Sequence, residues 1–159
     1  MRILHIADLH LRESSYDEAL ASIEAIEKEG QRKPFDLVAL SGDTWDGPIQ
    51  NSDRQGFGRL IDLIRRLADL APVALAYGTP THDTEGSLEV FERLTATHPI
   101  TILRPGKPYF LNQSGAGEFI YDHQHHQGLG DRAILFGVPE PQKKWLLANQ
   151  EAIGKDESD

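Results

Sequence analysis

Two periodicities alternate along the first hundred residues. "RILHIA", "FDLVALSG" and "APVALAYG" are short, nearly continuous apolar runs, the pattern of strands buried on both faces of a sheet. Between them the apolar positions spread to helical spacing. In "SSYDEALASIEAIEKEG", Tyr16, Leu20, Ile23 and Ile26 recur on one face, with a serine as N-cap and Gly30 as a stop. "GRLIDLIRRLADL" carries a stripe of Leu60, Leu63, Ile64 and Leu67. "GSLEVFERLTAT" sets Leu88, Phe91 and Leu94 on one face and predicts a third helix. Strand and helix in strict alternation argue for an α/β layered fold with a mostly parallel sheet and right-handed crossovers.

Past residue 99 the pattern changes. "ITILR", "PYFLNQ", "GEFIYDH" and "DRAILFGVP" are short strand-like runs parted by Gly and Pro, and predict hairpins or a second sheet. "EPQKKWLLANQEAIG" reads as a helix starting at Pro141. The chain then ends in the polar "KDESD".

Three strand ends carry chemistry. Asp8 and His10 follow the first strand, Asp43 and Asp46 the second, His82 and Asp83 the third. Ligands of open α/β sheets gather beyond the carboxyl ends of the strands, so these groups are expected to meet. Asp8 and His10 are two apart, and in extended backbone such residues point the same way. A carboxylate with an imidazole suits manganese, iron or zinc better than magnesium or calcium. Asp43, on the adjacent strand end, is placed to bridge two ions, which clamp a phosphoryl group and lower the pKa of the attacking water.

"DLH", "GDTWD" and "HD" resemble the opening motifs of the calcineurin-like metallophosphoesterases, D-x-H, G-D-x-x-D and G-N-H-D. "RILHIADLHL", "SGDTWD" and the late "ILFGVPEP" are similar to the SbcD-type DNA-repair nucleases. The resemblance implies a layered metallophosphoesterase-like sheet with flanking helices. It implies phosphodiester hydrolysis on DNA, as exonuclease or endonuclease, by metal-activated water. Asp8 and His10 would hold the first metal and Asp43 would bridge to the second. His82 would contact the phosphate and protonate the leaving oxygen. Asp83 would orient His82, and Asp46 would stand behind the ligands. The ions implied are two Mn²⁺, with Fe²⁺ or Zn²⁺ as variants. The partners implied are DNA, an SbcC-like ATPase and a second copy of the chain.

The sequence departs from that family twice. Thr81 precedes His82 where the family has a metal-binding asparagine, so a hydroxyl replaces an amide oxygen. The family also uses later histidines, one after a further strand and two in a Gly-His-x-His turn, and nothing after Gly154 supplies them. Residues 1–159 are therefore expected to be the N-terminal part of the domain, with its C-terminal part missing. Such a piece is expected to be poorly active. The histidines of "YDHQHHQ", His123, His125 and His126, read as a solvated hairpin tip.

Composition narrows the alternatives. With no cysteine there are no disulfides, thiolate sites or cysteine nucleophile, in keeping with the cytoplasm. No apolar run nears the roughly 20 residues of a membrane helix. Net charge is −9, from 16 basic and 25 acidic residues, which weighs against simple phosphate-backbone binding unless carboxylates hold cations. That balance keeps open a phosphoesterase acting on something other than DNA. The "GTPTHD" departure keeps open a degenerate, non-catalytic module. His5 reads as a satisfied core or near-site histidine and His98 as loop. Trp45 and Trp145 read as packing residues, and Arg59, Arg65 and Arg66 as the solvated face of a helix. The amphipathic segments at 57–70 and 86–97 would either cover the sheet or form a dimer face.

Overall fold

The computed structural model describes residues 1–47, 54–104, 108–111, 119–120 and 133–137. Four strands, β1 (Ile3–Ile6), β2 (Leu37–Ser41), β3 (Val73–Ala76) and β4 (Ile100–Leu103), lie parallel in the order β1-β2-β3-β4. Val38 pairs with Leu4 on one side and Val73 on the other, and Val73 pairs with Ile100. "ITILR" thus completes the first sheet rather than opening a second. The second sheet is antiparallel, β5 (Pro108–Leu111), β6 (Phe119–Ile120) and β7 (Ala133–Phe136), in the order β6-β5-β7. The helix expected from Pro141, Trp145, and the histidines at 123, 125 and 126 lie outside the described residues.

Side chains alternate across the parallel sheet and define its two faces. Val38, Leu40, Val73, Leu75, Ile100 and Ile102 face the helices α1 (Tyr16–Arg32) and α2 (Arg54–Ala68). Leu37, Ala74 and Leu103 face the other way, against Tyr109 and Leu135 of the second sheet. The stripe Leu60, Leu63, Ile64 and Leu67 of α2 is fully within the core, so this helix covers the sheet. Burial of that kind stabilises by about 1.5–3 kcal/mol per side chain. Arg59, Arg65 and Arg66 stay at the surface, paired with Glu13, with Asp62 and Asp69, and with Glu27. No described helix is long and apolar enough to cross a membrane.

Four details differ from the sequence expectation. Strand β1 is not buried on both faces: it lies at one edge of the described sheet, and Ile3 and His5 are exposed while Leu4 and Ile6 pack inward. His5 is accordingly not a core residue, and its Nε2 sits 2.6 Å from Ser41 Oγ. Gly30 does not stop α1, which runs on to Arg32. It is buried, and a Cβ there would lie 3.1 Å from the Phe35 ring, so close packing explains the glycine. The third helix is absent. Residues 84–94 form successive turns closed by i→i−3 bonds, Ser87 to Thr84, Phe91 to Leu88 and Leu94 to Phe91, with a 3₁₀ turn at Phe91–Arg93. Leu88, Phe91 and Leu94 are spaced by three, the period of a 3₁₀ helix rather than an α-helix. Leu88 and Phe91 are fully buried by it.

Candidate metal centre

The loops leaving β1 and β2 continue side by side past the sheet. Asp8 N–H donates to Gly42 O, His10 N–H to Asp43 O, and Leu11 N–H to Thr44 O; Asp46 N–H returns a bond to Leu11 O. This zipper fixes the position of Asp8 and His10 against Asp43 and Asp46. The loop leaving β3 is folded by its own turn, with His82 and Asp83 N–H both donating to Thr79 O. It packs on the second loop through two glycines. A Cβ on Gly78 would collide with Asp43 N and Oδ1, and a Cβ on Gly42 would lie 2.6 Å from Gly78 Cα.

Only three described non-glycine residues adopt positive φ: Asp8 (54°), His10 (44°) and Asp43 (48°). That backbone costs an L-residue about 1–2 kcal/mol and collects where function holds it. These three residues bring one donor atom each within 4.8 Å of one another. The expectation of extended backbone at Asp8 and His10 is therefore corrected. Their side chains converge through left-handed kinks, not strand geometry. Two carboxylates and an imidazole in one cluster fit a divalent cation, and the strained backbone that gathers them agrees.

Asp43 is the most constrained of the three. Thr79 donates to its Oδ1 twice, from N–H at 2.6 Å and from the hydroxyl at 2.9 Å. Burial works against the charge, but the Thr79 N–H and hydroxyl bonds, then the fields of His82 and His10, outweigh it. They hold the carboxyl below its ordinary pKa. The second oxygen remains for an ion.

Thr79 was not among the residues singled out in sequence. The hydroxyl expected beside the metal is that of Thr81, but among the described residues Thr81 Oγ1 meets the Thr79 hydroxyl, at 3.2 Å. Thr79 directly follows Gly78, as the asparagine follows glycine in G-N-H-D; counting from the glycine rather than from the histidine would have found it. Thr79→Val removes the hydroxyl bond and keeps the N–H bond. It is expected to lower stability by about 1 kcal/mol and to raise the Asp43 pKa, read by carboxyl NMR titration. A lowered folded pKa gives stability present above the unfolded value and lost as pH falls through the folded one. The variant's deficit should accordingly be full above pH 3.8 and shrink below it.

His82 reaches the same place from the third loop. Its ring meets the His10 ring edge-to-face, with centroids 4.6 Å apart. The carboxylate beside it is that of Asp46, whose Oδ1 lies 3.9 Å from His82 Nδ1 and 3.4 Å from His10 Nδ1. Asp46 is in turn held by Arg12 through Oδ2, at 2.8 Å. The bonds of Asp83 run to backbone donors. Its carboxylate is buried and accepts from Thr44 N–H (3.2 Å), Trp45 N–H (3.1 Å) and Gly78 N–H (2.9 Å). Asp83 ties the third loop to the second. Trp45 is packing, as expected, stacked on Phe91 at 5.4 Å.

No curated protein matches the sequence. A family model described as calcineurin-like phosphoesterase matches residues 1–150. That family binds divalent metals and hydrolyses phosphoesters, and here the match spans the loops on which Asp8, His10, Asp43, Asp46 and His82 converge. With nearly its whole length matched, this chain belongs to the calcineurin-like phosphoesterases.

Proposed function

We infer that the chain is a phosphodiesterase domain of SbcD type, acting on DNA together with an SbcC-like ATPase and a second copy of itself. The observation that carries the hydrolytic part is the convergence of Asp8, His10 and Asp43 at the carboxyl edge of the parallel sheet, with His82 beside them. The DNA part is supported by the similarity of "RILHIADLHL" and "SGDTWD" to those nucleases.

A bound divalent ion, Mn²⁺ in this reading, supplies charge for the phosphate and activates water. Asp8, His10 and Asp43 would hold it. His82 turns Nδ1 toward Asp46, which leaves Nε2 to carry a proton to the leaving oxygen. Asp46, anchored by Arg12, stands beside that face of the ring. Asp83 acts at a distance, by fixing the loop from which His82 projects.

The test is turnover with Mn²⁺ on linear duplex DNA, on a small aryl phosphodiester and on the matching monoester. The expected result is cleavage of both diesters, with the monoester slower by about tenfold or more. Turnover of the monoester alone would move the chain to small phosphate esters, the reading its acidic balance also supports.

A further inference from the structure

We propose that His10, Asp46 and His82 form a second divalent-cation site, selective for zinc-class ions, that competes with the Asp8–His10–Asp43 site for His10. Each of the three residues offers a donor atom, all within 4.8 Å of one another. Asp46 presents Oδ1 to both imidazoles because Arg12 occupies Oδ2. Both Nδ1 atoms are shut off from solvent, and neither has a hydrogen-bond partner. Two orphaned polar atoms aimed at one carboxylate oxygen are costly as they stand. One cation among them would satisfy all three groups.

The geometry is close to what such an ion needs. Ligands 2.0–2.2 Å from a tetrahedral zinc are roughly 3.3 Å from each other. His10 Nδ1 is already 3.4 Å from Asp46 Oδ1, and His82 Nδ1, at 3.9 Å, needs only a small closing movement of its side chain. The side chains as a whole are 27–37% exposed, so a small ring rotation opens the shielded Nδ1 atoms to an ion.

Donor chemistry separates the two sites. Asp8, His10 and Asp43 offer two carboxylates and one imidazole, suited to a hard ion such as Mn²⁺. His10, Asp46 and His82 offer two imidazoles and one carboxylate, which suits Zn²⁺ better. Because both sites need His10, zinc would displace manganese and also withdraw His82 from proton transfer. That inhibitory consequence rests on the hydrolase reading above; the zinc site itself does not.

The test is zinc affinity of the 159-residue chain, measured with Zn²⁺ alone by competition with a chromophoric chelator. His82→Gln is expected to weaken binding at least about tenfold and Asp8→Asn less than about threefold, since losing a ligand costs no less than losing an outer partner. Asp46→Asn should repeat the His82→Gln result, which guards against a local folding defect in either variant. The proposal is overturned if His82→Gln and Asp46→Asn bind zinc as wild type does, or if Asp8→Asn weakens it as much as they do. Manganese affinity of Asp8→Asn, read by the EPR signal of free Mn²⁺, reports separately on the hydrolase site. Retained manganese binding there would overturn that reading and leave the zinc result standing.

Discussion

Asp43→Asn is expected to lower Mn²⁺-supported phosphodiester hydrolysis about a thousandfold while leaving the fold intact. A bound ion stabilises transition-state charge by several kcal/mol, and about 4 kcal/mol corresponds to that factor. The substitution isolates charge from shape. Asparagine tolerates the left-handed backbone at position 43 better than any other side chain but glycine. Its amide oxygen can still accept both bonds from Thr79. What disappears is the negative charge that Thr79, His82 and His10 hold in place. The check is kcat at saturating Mn²⁺ beside a thermal melt. An unchanged melting temperature with activity within tenfold of wild type would remove Asp43 from the ligand set.

Much of this architecture is legible in the sequence, and the failures have physical causes. Strands β2 and β3 and helix α2 are announced by unbroken apolar runs and a four-residue stripe, because burial on both faces, or on one helix face, is a compositional demand. The meeting of Asp8, His10, Asp43 and His82 follows from parallel topology, which brings strand ends together. The exposed side of β1 is not legible, since an outer strand can carry the same apolar letters as a central one. The left-handed kinks at Asp8, His10 and Asp43 are not legible either, because they occur at residues other than glycine. The carboxylate nearest His82 is not legible for a simpler reason. His82 and Asp83 are neighbours in sequence, but successive side chains diverge. The carboxylate beside His82 comes from 36 residues earlier, with Asp46 brought there by the zipper of the first two loops.

The same divergence sets the second large effect. Asp83→Ala is expected to destabilise the chain by about 3–5 kcal/mol, whereas His82→Ala, one residue away, should cost under about 1 kcal/mol. Asp83 is 3% exposed and accepts three backbone N–H bonds, two from the loop after β2 and one from Gly78 after β3. Each bond to a charged acceptor contributes about 1.5–3 kcal/mol, and truncation strands all three donors with little water to replace the carboxylate. His82 Nδ1 finds no hydrogen-bond partner among the described residues and the side chain is 30% exposed, so little is stranded when it goes. At 159 residues the Asp83→Ala loss corresponds to a fall in melting temperature of roughly 6–20 °C, measured by calorimetry or urea titration. Asp83→Asn should fall between the two, because its amide oxygen can accept while its NH₂ must face a backbone donor. Equal and small effects at positions 82 and 83 would mean that the loops carrying Asp43 and His82 are held together by something other than this buried carboxylate.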